Sequence, residues 1–338
     1  MRRLFFLFFQ KRYDILNKKF DGKEATILRQ PDVNSHYFLG IDGGGTKTLF
    51  WLVDTCGQVI AKAEKGACNP NDIGIENAMS LLKDGIRETV GAIPYERITM
   101  FAGISGGGLT GDHAEKLRLF FSGFGFFAFD NGSDIENLVA LSDEDRAVLV
   151  IMGTGFIVYA LDGAYRKRIA GWGQLFDDGG CGYTIGRDVI TAVLSAFDGS
   201  GAQTLLTDLL TERLGETAEA HLAKFYEGGK QYIASFADLA FAGAEKKDGI
   251  SLMILQKNMA FAAEKIKAGI HALTSREKIS VLLAGGITKQ HEILFPMLRE
   301  YLREETCRLH RLDQEPIEGA VRRAKAIYQR KIQEENYL

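Results

Sequence analysis

The sequence predicts an α/β protein built from two similar halves that face a cleft. A pair of β-strands joined by a glycine-rich turn occurs twice along the 338 residues, near residues 37–54 and again near 147–162. In each half, a later apolar strand also ends in consecutive glycines. This repetition indicates a duplication, and ligands of such sheets bind at the loops beyond the strand ends.

The first half begins with an antiparallel meander. Strands are predicted at Tyr37–Asp42, Thr48–Asp54 and Gln58–Ala63, because aliphatic and aromatic runs alternate there with glycine-containing turns. Apolar residues then recur at helical spacing over Asn77–Val90. The other elements predicted in this half are a buried strand at Ile98–Ile104, a helix at His113–Phe121, a strand at Phe124–Phe129 and a helix from Asp134 to Leu141.

The second half repeats the strand pair and then becomes helical. Strands are predicted at Ala147–Met152 and Phe156–Asp162, helices over most of Gly186–Leu273, a buried strand at Ile279–Ala284 and a last helix at about Ile317–Gln329. We therefore expect an N-terminal extension over residues 1–35, a first domain over 36–142 and a second over 143–338. The final helix is expected to be able to pack back on the first domain.

Composition argues against several classes of function. The formal net charge is −3, which gives no general reason to bind nucleic acid. The six histidines are scattered and show no metal-ligand spacing. The four cysteines are too widely spaced to suggest a disulfide framework or a zinc site, so a reducing cytoplasm is expected. The basic N-terminus contains the apolar run Leu4–Phe9, which is too short for a signal peptide or a spanning helix. Stable membrane insertion is therefore not expected, and a weak membrane-surface anchor is the alternative for residues 1–35.

The most informative motif is the turn between the first two strands. Three consecutive glycines let backbone N–H groups surround a phosphate, and the following threonine and lysine add a hydroxyl and a cation. The preceding Asp42 suits Mg²⁺ held through water. A plain hairpin turn is the alternative, and a Walker A loop is excluded because a strand follows instead of a helix. The predicted phosphate-binding residues here are Gly43, Gly44, Gly45, Thr46 and Lys47.

The second half carries a matching loop, Gly153-Thr154-Gly155. Alone it reads as a tight turn, but opposite the first loop it becomes a second phosphate clamp. Two such clamps would hold a triphosphate chain across the cleft. Gly285 and Gly286 follow a buried strand, where adenine would lie against the backbone.

Two carboxylates, Asp134 and Asp130, are candidates for a general base, since a hydroxyl acceptor loses its proton as a phosphoryl group arrives. Asp134 precedes a helix, so capping that helix is the alternative role. Asn69 donates and accepts hydrogen bonds as sugar hydroxyls require, Trp172 offers an apolar plane, and Asp178 would accept from hydroxyls. The alternative for Asn69 is a simple turn, and the alternative for Trp172 and Asp178 is a mobile loop with a core tryptophan.

The segment Gly103-Ile104-Ser105-Gly106-Gly107 also matches the GxSxG elbow of serine hydrolases. The antiparallel meander before it is the wrong sheet for that fold, so a hydrolase is disfavoured. We assign Ser105 instead to the substrate side of the cleft.

In this order, the motifs resemble the N-acetylglucosamine kinase / BadF-BadG-type ATPase family of the sugar kinase, heat-shock chaperone and actin superfamily. The resemblance covers about residues 37–330 and is carried by GIDGGGTKT (40–48), NPNDIG (69–74), GISGGG (103–108), GTG (153–155), GWG…DDGG (171–180), AGG (284–286) and IEGA (317–320). It implies two duplicated actin-like, ribonuclease H-like domains with mixed sheets that flank an ATP cleft.

The resemblance also implies roles. Asp42 organises Mg²⁺, Asn69 and Asp178 bind sugar hydroxyls, Trp172 lines the pocket, and Asp134 is the base. Asp134 is preferred to Asp130 because its 19-residue distance to Gly153 suits the family pattern better. The implied phosphate and adenosine contacts are Gly44, Gly45, Thr46, Gly153, Thr154, Gly155, Gly285 and Gly286.

The function implied is an ATP-dependent sugar kinase, with an amino sugar such as N-acetylglucosamine or glucosamine as the acceptor. A BadF-type ATPase that activates or regulates a partner enzyme is the alternative, and a homodimer is a family-level expectation. The chain departs from the family pattern in two places. Gly179 stands where the family usually has Glu, and Phe156 stands where its GTGS motif has Ser. Both changes concern the acceptor side more than the ATP chemistry.

Overall fold

A computed structural model describes residues 26–29, 32, 35–108, 111–142, 144–163, 165–177, 179–273 and 278–336. The apolar run Leu4–Phe9 and the proposed sugar ligand Asp178 lie outside these described residues. Among the described residues, no helix combines the length and the apolar character needed to cross a lipid bilayer.

The first sheet has six strands in the order β1-β4-β3-β2-β5-β6. Strand β2 is antiparallel to β3 and parallel to β5, which is itself parallel to β6. The carboxyl ends of β2, β5 and β6 therefore meet at one edge of the sheet. The strands are β1 (Thr26–Ile27), β2 (Tyr37–Gly43), β3 (Lys47–Asp54), β4 (Val59–Gly66), β5 (Ile98–Ile104) and β6 (Ala128–Gly132).

The second sheet has five strands in the order β11-β10-β7-β8-β9. Its antiparallel strands β7, β8 and β9 and its parallel strands β10 and β11 repeat the arrangement of β2, β3, β4, β5 and β6. The predicted duplication is therefore confirmed at the level of strand order. The strands are β7 (Arg146–Met152), β8 (Phe156–Asp162), β9 (Tyr165–Arg168), β10 (Ile279–Ala284) and β11 (Cys307–Arg311).

Eleven α-helices are found in the described part of the chain, together with two short 3₁₀ turns. The helices are α1 (Pro70–Ile73), α2 (Ile75–Val90), α3 (His113–Ser122), α4 (Ile135–Leu141), α5 (Gly182–Asp198), α6 (Leu206–Leu214), α7 (Leu222–Ala234), α8 (Ala237–Glu245), α9 (Gly249–His271), α10 (His291–Tyr301) and α11 (Pro316–Asn336).

Helices α4 and α11 lie between the two sheets. Ile135 and Leu138 of α4 pack against the second sheet, whereas Ile317 and Val321 of α11 pack against the first, and the two helices touch each other. A Cβ on Gly40 of β2 would lie only 2.7 Å from Val321, so the final helix sits directly on the central strand of the first sheet.

Most predicted elements are close to the observed ones, with two informative differences. The strand predicted at Phe124–Phe129 runs instead over Ala128–Gly132, because Phe124 and Phe126 turn into an aromatic cluster with Tyr95 before the strand begins. Strands β9 and β11 were not predicted from sequence; both are short, charged and exposed along much of their length, as edge strands often are.

Candidate active site

Two glycine loops meet where the sheets face each other. The first joins β2 to β3, and the second joins β7 to β8. The hydroxyl oxygens of Thr46 and Thr154, one from each loop, are 2.5 Å apart. A Cβ on Gly45 would lie 3.9 Å from Thr154. The structure thus brings the two predicted phosphate loops together, although 108 residues separate them along the chain.

The second loop is fastened to the start of helix α5. The Gly182 N–H donates to the Gly153 carbonyl at 2.8 Å, and the Tyr183 N–H donates to the Thr154 carbonyl at 3.2 Å. The positive end of the α5 dipole therefore points at this loop, which favours a negatively charged ligand beside it.

Gly285, at the end of β10, packs closely against the start of the same loop. Its φ of 101° lies in the region that favours glycine, and a Cβ there would lie 2.5 Å from the Met152 carbonyl oxygen. Because β10 is parallel to β7, both strands end at this point. The structure places Gly285 next to the second loop, because a Cβ on Gly285 would lie 3.0 Å from the Gly153 nitrogen, and the adenosine contact of Gly285 and Gly286 stays a prediction.

Asp42 stands at the cleft end of β2, partly exposed, just before the first loop. Asn137 of α4 donates its amide to Asp42 Oδ1 at 2.6 Å. Burial raises the pKa of Asp42 from 3.8 to about 7, and the negative charge of Asp134 adds to this, whereas the Asn137 hydrogen bond lowers the pKa. A carboxylate in this position would gain from a nearby cation.

Asp134 caps helix α4, as the capping interpretation predicts. Its Oδ1 accepts hydrogen bonds from the Ile135 N–H at 3.1 Å and from the Ser133 hydroxyl at 3.0 Å. Burial raises the pKa of Asp134, and hydrogen bonds from Ser133 and Ser105 lower it in part. Capping occupies one carboxylate oxygen, so this role and a role as a base are compatible.

Asp130 occupies a different environment. It lies on β6, is exposed, and accepts a hydrogen bond from the N–H of its neighbour Asn131. Asp134 is only partly exposed and interacts electrostatically with Asp42, and this contrast favours Asp134 as the carboxylate of the cleft.

Asn69 and Ser105 converge on the same edge of the first sheet. Asn69 is 8% exposed, and its side-chain oxygen accepts from the Asn71 N–H. Gly106 lies directly against it, since a Cβ there would collide with the Asn69 side-chain oxygen. The Ser105 N–H donates to the Gly43 carbonyl at 2.7 Å, which connects this group to the first loop.

Trp172 is 58% exposed on the loop after β9, with the Arg168 guanidinium 4.5 Å from its ring. The neighbouring Asp177 is buried and accepts from the N–H groups of Gly171 and Trp172 at 2.6 and 2.5 Å. Asp177 therefore fixes this loop. The predicted ligand Asp178 lies outside the described residues.

Gly179 and Phe156, the two residues that depart from the family pattern, lie in one packed cluster. A Cβ on Gly179 would lie 2.6 Å from Phe261, and Gly180 approaches Phe156 in the same way at 3.0 Å. The rings of Phe156 and Phe261 meet edge-on at 6.0 Å. These rings fill the space that a larger side chain at position 179 would need.

Lys47 lies differently from the position expected for a phosphate ligand. Its ammonium is 3.9 Å from the Glu64 carboxylate on the neighbouring strand, and its side chain is exposed.

The sequence analysis does not single out Asn137, whose side-chain amide donates to Asp42 and so positions that carboxylate. A signal was present, because Asn137 is a polar residue within the short and otherwise apolar helix α4, where a buried polar side chain needs a partner.

Asp42 is the residue best placed to hold Mg²⁺. Its Oδ1 is engaged by Asn137, which leaves Oδ2 for the ion or its water, and Mg²⁺ usually takes one or two carboxylates plus substrate phosphates. No group of three His, Cys, Asp or Glu side chains forms a metal cage within the described ranges. The donor set fits Mg²⁺ delivered with a nucleotide.

Comparisons with known proteins agree with this geometry. Residues 39–322 match the BadF/BadG/BcrA/BcrD ATPase family. The chain is 31% identical over 294 residues to an N-acetyl-D-glucosamine kinase of Dictyostelium discoideum, covering 80% of this chain and 92% of that protein. It is 29% identical over 276 residues to an N-acetylmuramic acid/N-acetylglucosamine kinase of Clostridium acetobutylicum, covering 79% and 90%.

A solved structure with the same fold is that of a proposed N-acetylglucosamine kinase from Chromobacterium violaceum. The TM-score is 0.67 at 23% identity, over 85% of this chain and 98% of that one. Together with the repeated strand order, this match confirms the expected pair of actin-like domains.

Proposed function

This chain belongs to the BadF/BadG/BcrA/BcrD ATPase family, and on that premise we propose that it is an ATP-dependent kinase that phosphorylates a hydroxyl of an amino sugar. The observation that carries the proposal is the pair of carboxylates, Asp42 and Asp134, which interact beside two opposed phosphate loops. Asp134 accepts hydrogen bonds from hydroxyl and backbone N–H groups, and a carboxylate held in this way suits a hydroxyl acceptor.

On the nucleotide side, the two loops hold the phosphates and the Gly285 turn lies at adenosine. Catalysis of phosphoryl transfer consists mainly of positioning and of stabilising developing charge. Asp42 would hold Mg²⁺, and this ion neutralises charge on the phosphates when bound. Closure of the two proposed domains, 36–142 and 143–338, would exclude water from the transfer.

On the acceptor side, Asp134 takes the proton of the attacking hydroxyl. Its raised pKa makes it a stronger base than a free aspartate, and the cap hydrogen bonds hold its orientation. Asn69 and Ser105 flank it, and Trp172 offers an apolar face to the sugar ring. N-acetylglucosamine and glucosamine are the acceptors we expect, by analogy with the kinases to which this chain is similar.

The cell compartment and the assembly belong to the proposal as well. All four cysteines are free thiols, which suits a reducing cytoplasm that also supplies ATP. A homodimer is the proposed assembly.

An ATP-coupled assay over a panel of amino sugars and hexoses tests the proposal. We expect ADP release that requires sugar, with one amino sugar giving the highest kcat/KM. ATP hydrolysis that no sugar stimulates, together with iron in the purified protein, would contradict a kinase and favour an ATPase that activates a partner enzyme.

A further inference from the structure

The cation that the sequence predicts for the first loop, Lys47, lies 3.9 Å from the Glu64 carboxylate, and its charge also acts on Asp42. Another ammonium lies at the second loop. Lys230 Nζ is 3.8 Å from the position that a Cβ would take on Gly155. Lys230 is partly buried, and no carboxylate within the described part of the chain forms an ion pair with it.

The packing of α7 explains why Lys230 points there. Ala234 touches Gly182, with 3.5 Å between the Ala234 Cβ and a Cβ built on Gly182. One turn further along α5, Gly186 admits the Ile233 carbonyl into the space that its own Cβ would occupy. Residues four apart share a helix face, so Lys230 lies on the face of Ala234, toward the second loop that Gly182 anchors.

A kink in α7 sets the final direction of the lysine. Gly229, directly before Lys230, has φ 62° and ψ −159°, which favours glycine. The helix is braced on both sides of the kink, because the Tyr232 hydroxyl is 2.7 Å from His221 Nε2 and His221 Nδ1 is 2.5 Å from Glu216. A carboxylate can only accept, so Nδ1 donates to Glu216, while Nε2 faces the Tyr232 hydroxyl on the other side of the ring.

We propose that Lys230 binds the terminal phosphates of the nucleotide from the second loop. This proposal rests on the proposed function, since it assumes that ATP lies between the loops. The N–H groups of Gly182 and Tyr183 are already bonded to loop carbonyls, so the α5 terminus offers its dipole but not these two donors. A lysine ammonium supplies three mobile donors and a full charge at that place.

The test compares the Kd values of Mg·ATP and AMP by isothermal titration calorimetry for four proteins. These are the wild type, Lys230→Met, Lys230→Arg and the control Lys224→Met. Lys224 lies on the same helix and its loss changes the net charge equally, but its ammonium pairs with Glu216 at 2.8 Å.

For Lys230→Met, we expect the Kd of Mg·ATP to rise roughly 10- to 100-fold, since a tenfold change is about 1.4 kcal/mol and charged hydrogen bonds contribute about 1.5–3 kcal/mol. The Kd of AMP should stay within about twofold, because AMP lacks the terminal phosphates. Lys230→Arg should recover most of the ATP affinity, and Lys224→Met should keep the preference for ATP over AMP.

Unchanged ATP affinity in Lys230→Met would overturn the proposal. So would an equal loss of ATP and AMP affinity, which indicates damage to the adenosine site or the fold. A wild-type protein that binds no Mg·ATP would overturn both this inference and the proposed function. A wild-type protein that binds Mg·ATP but phosphorylates no sugar would overturn only the kinase, and the calorimetry would still decide the role of Lys230.

Discussion

Replacing Asp42 by Asn should stabilise the nucleotide-free protein while abolishing its activity. Burial raises the pKa of this carboxyl from 3.8 to about 7. The folded protein then binds more protons than the unfolded chain between those pH values. Stability therefore falls as pH rises from about 4 to about 7, and the full penalty persists at higher pH.

The size of the effect is set by the same pKa. At 1.36 kcal/mol per pKa unit, the raised value corresponds to about 4 kcal/mol above neutral pH. Because Asp42 is partly open to the cleft, screening by water reduces this to about 1–3 kcal/mol. Asparagine keeps the shape and still accepts from Asn137, so Asp42→Asn should recover most of that amount.

Thermal unfolding followed by circular dichroism, with EDTA present and without nucleotide, measures this gain. At pH 8 we expect a Tm increase of about 1–4 °C, using about 1.4 °C per kcal/mol from an unfolding entropy of about 2.1 cal/mol/K per residue over the 338 residues. At pH 4, where the native carboxyl is already protonated, the increase should nearly vanish. Asp84→Asn, on the exposed side of α2, removes an equal charge and serves as the control.

An equal gain for Asp42→Asn at pH 4 and pH 8 would refute the reasoning, because the effect would then be independent of ionisation. A loss of stability at pH 8 would refute it as well, and would mean that the carboxylate makes contacts worth more than its burial costs.

Three further outcomes are expected. Asp134→Asn should lower kcat by about 10²–10⁴-fold yet keep the Kd of Mg·ATP within about threefold. The control Asp130→Asn should retain turnover, and full activity in Asp134→Asn would remove Asp134 from the mechanism. Gly285→Ala should lower the Tm by several degrees or more, because a backbone forced into that φ costs about 1–3 kcal/mol and the methyl meets the Met152 carbonyl. In the wild type, affinity for Mg·ATP should rise as the pH increases through about 7, because Asp42 becomes charged there. In Asp42→Asn the affinity should not change with pH; calorimetry at fixed ionic strength measures both.

The elements that could be predicted from the sequence are those whose signal is local. Strands β5 and β10 were predicted with their observed bounds, because each is a fully buried apolar run that ends in a glycine-rich loop. The meeting of Asp42, Ser105 and Asp134 also follows from local pattern, since all three lie at the ends of neighbouring parallel strands.

Residues that act through distant packing could not be found in this way. Asn137 and Asp42 are 95 residues apart, and only the placement of α4 between the sheets joins them. Lys230 is more than 70 residues from Gly155, and its direction depends on a helix kink and on close helix packing at Gly186. Lys47 shows the reverse case, because the motif suggested a phosphate ligand while strand pairing brings its side chain to Glu64.

The duplication explains why there are two equivalent loops, and the different segments inserted after them explain why their surroundings differ. In the first half, β4 and β5 are joined by only two helices, and the sheet edge around the first loop gathers Asn69, Ser105 and Asp134. In the second half, five helices intervene between β9 and β10, and they supply the α5 terminus and Lys230 to the second loop. A symmetric pair of hairpins therefore has asymmetric surroundings, and under the proposed function the first side carries the acceptor chemistry while the second adds contacts to the nucleotide. Under the same proposal, the phosphoryl transfer would take place where the two hairpins meet, at Thr46 and Thr154.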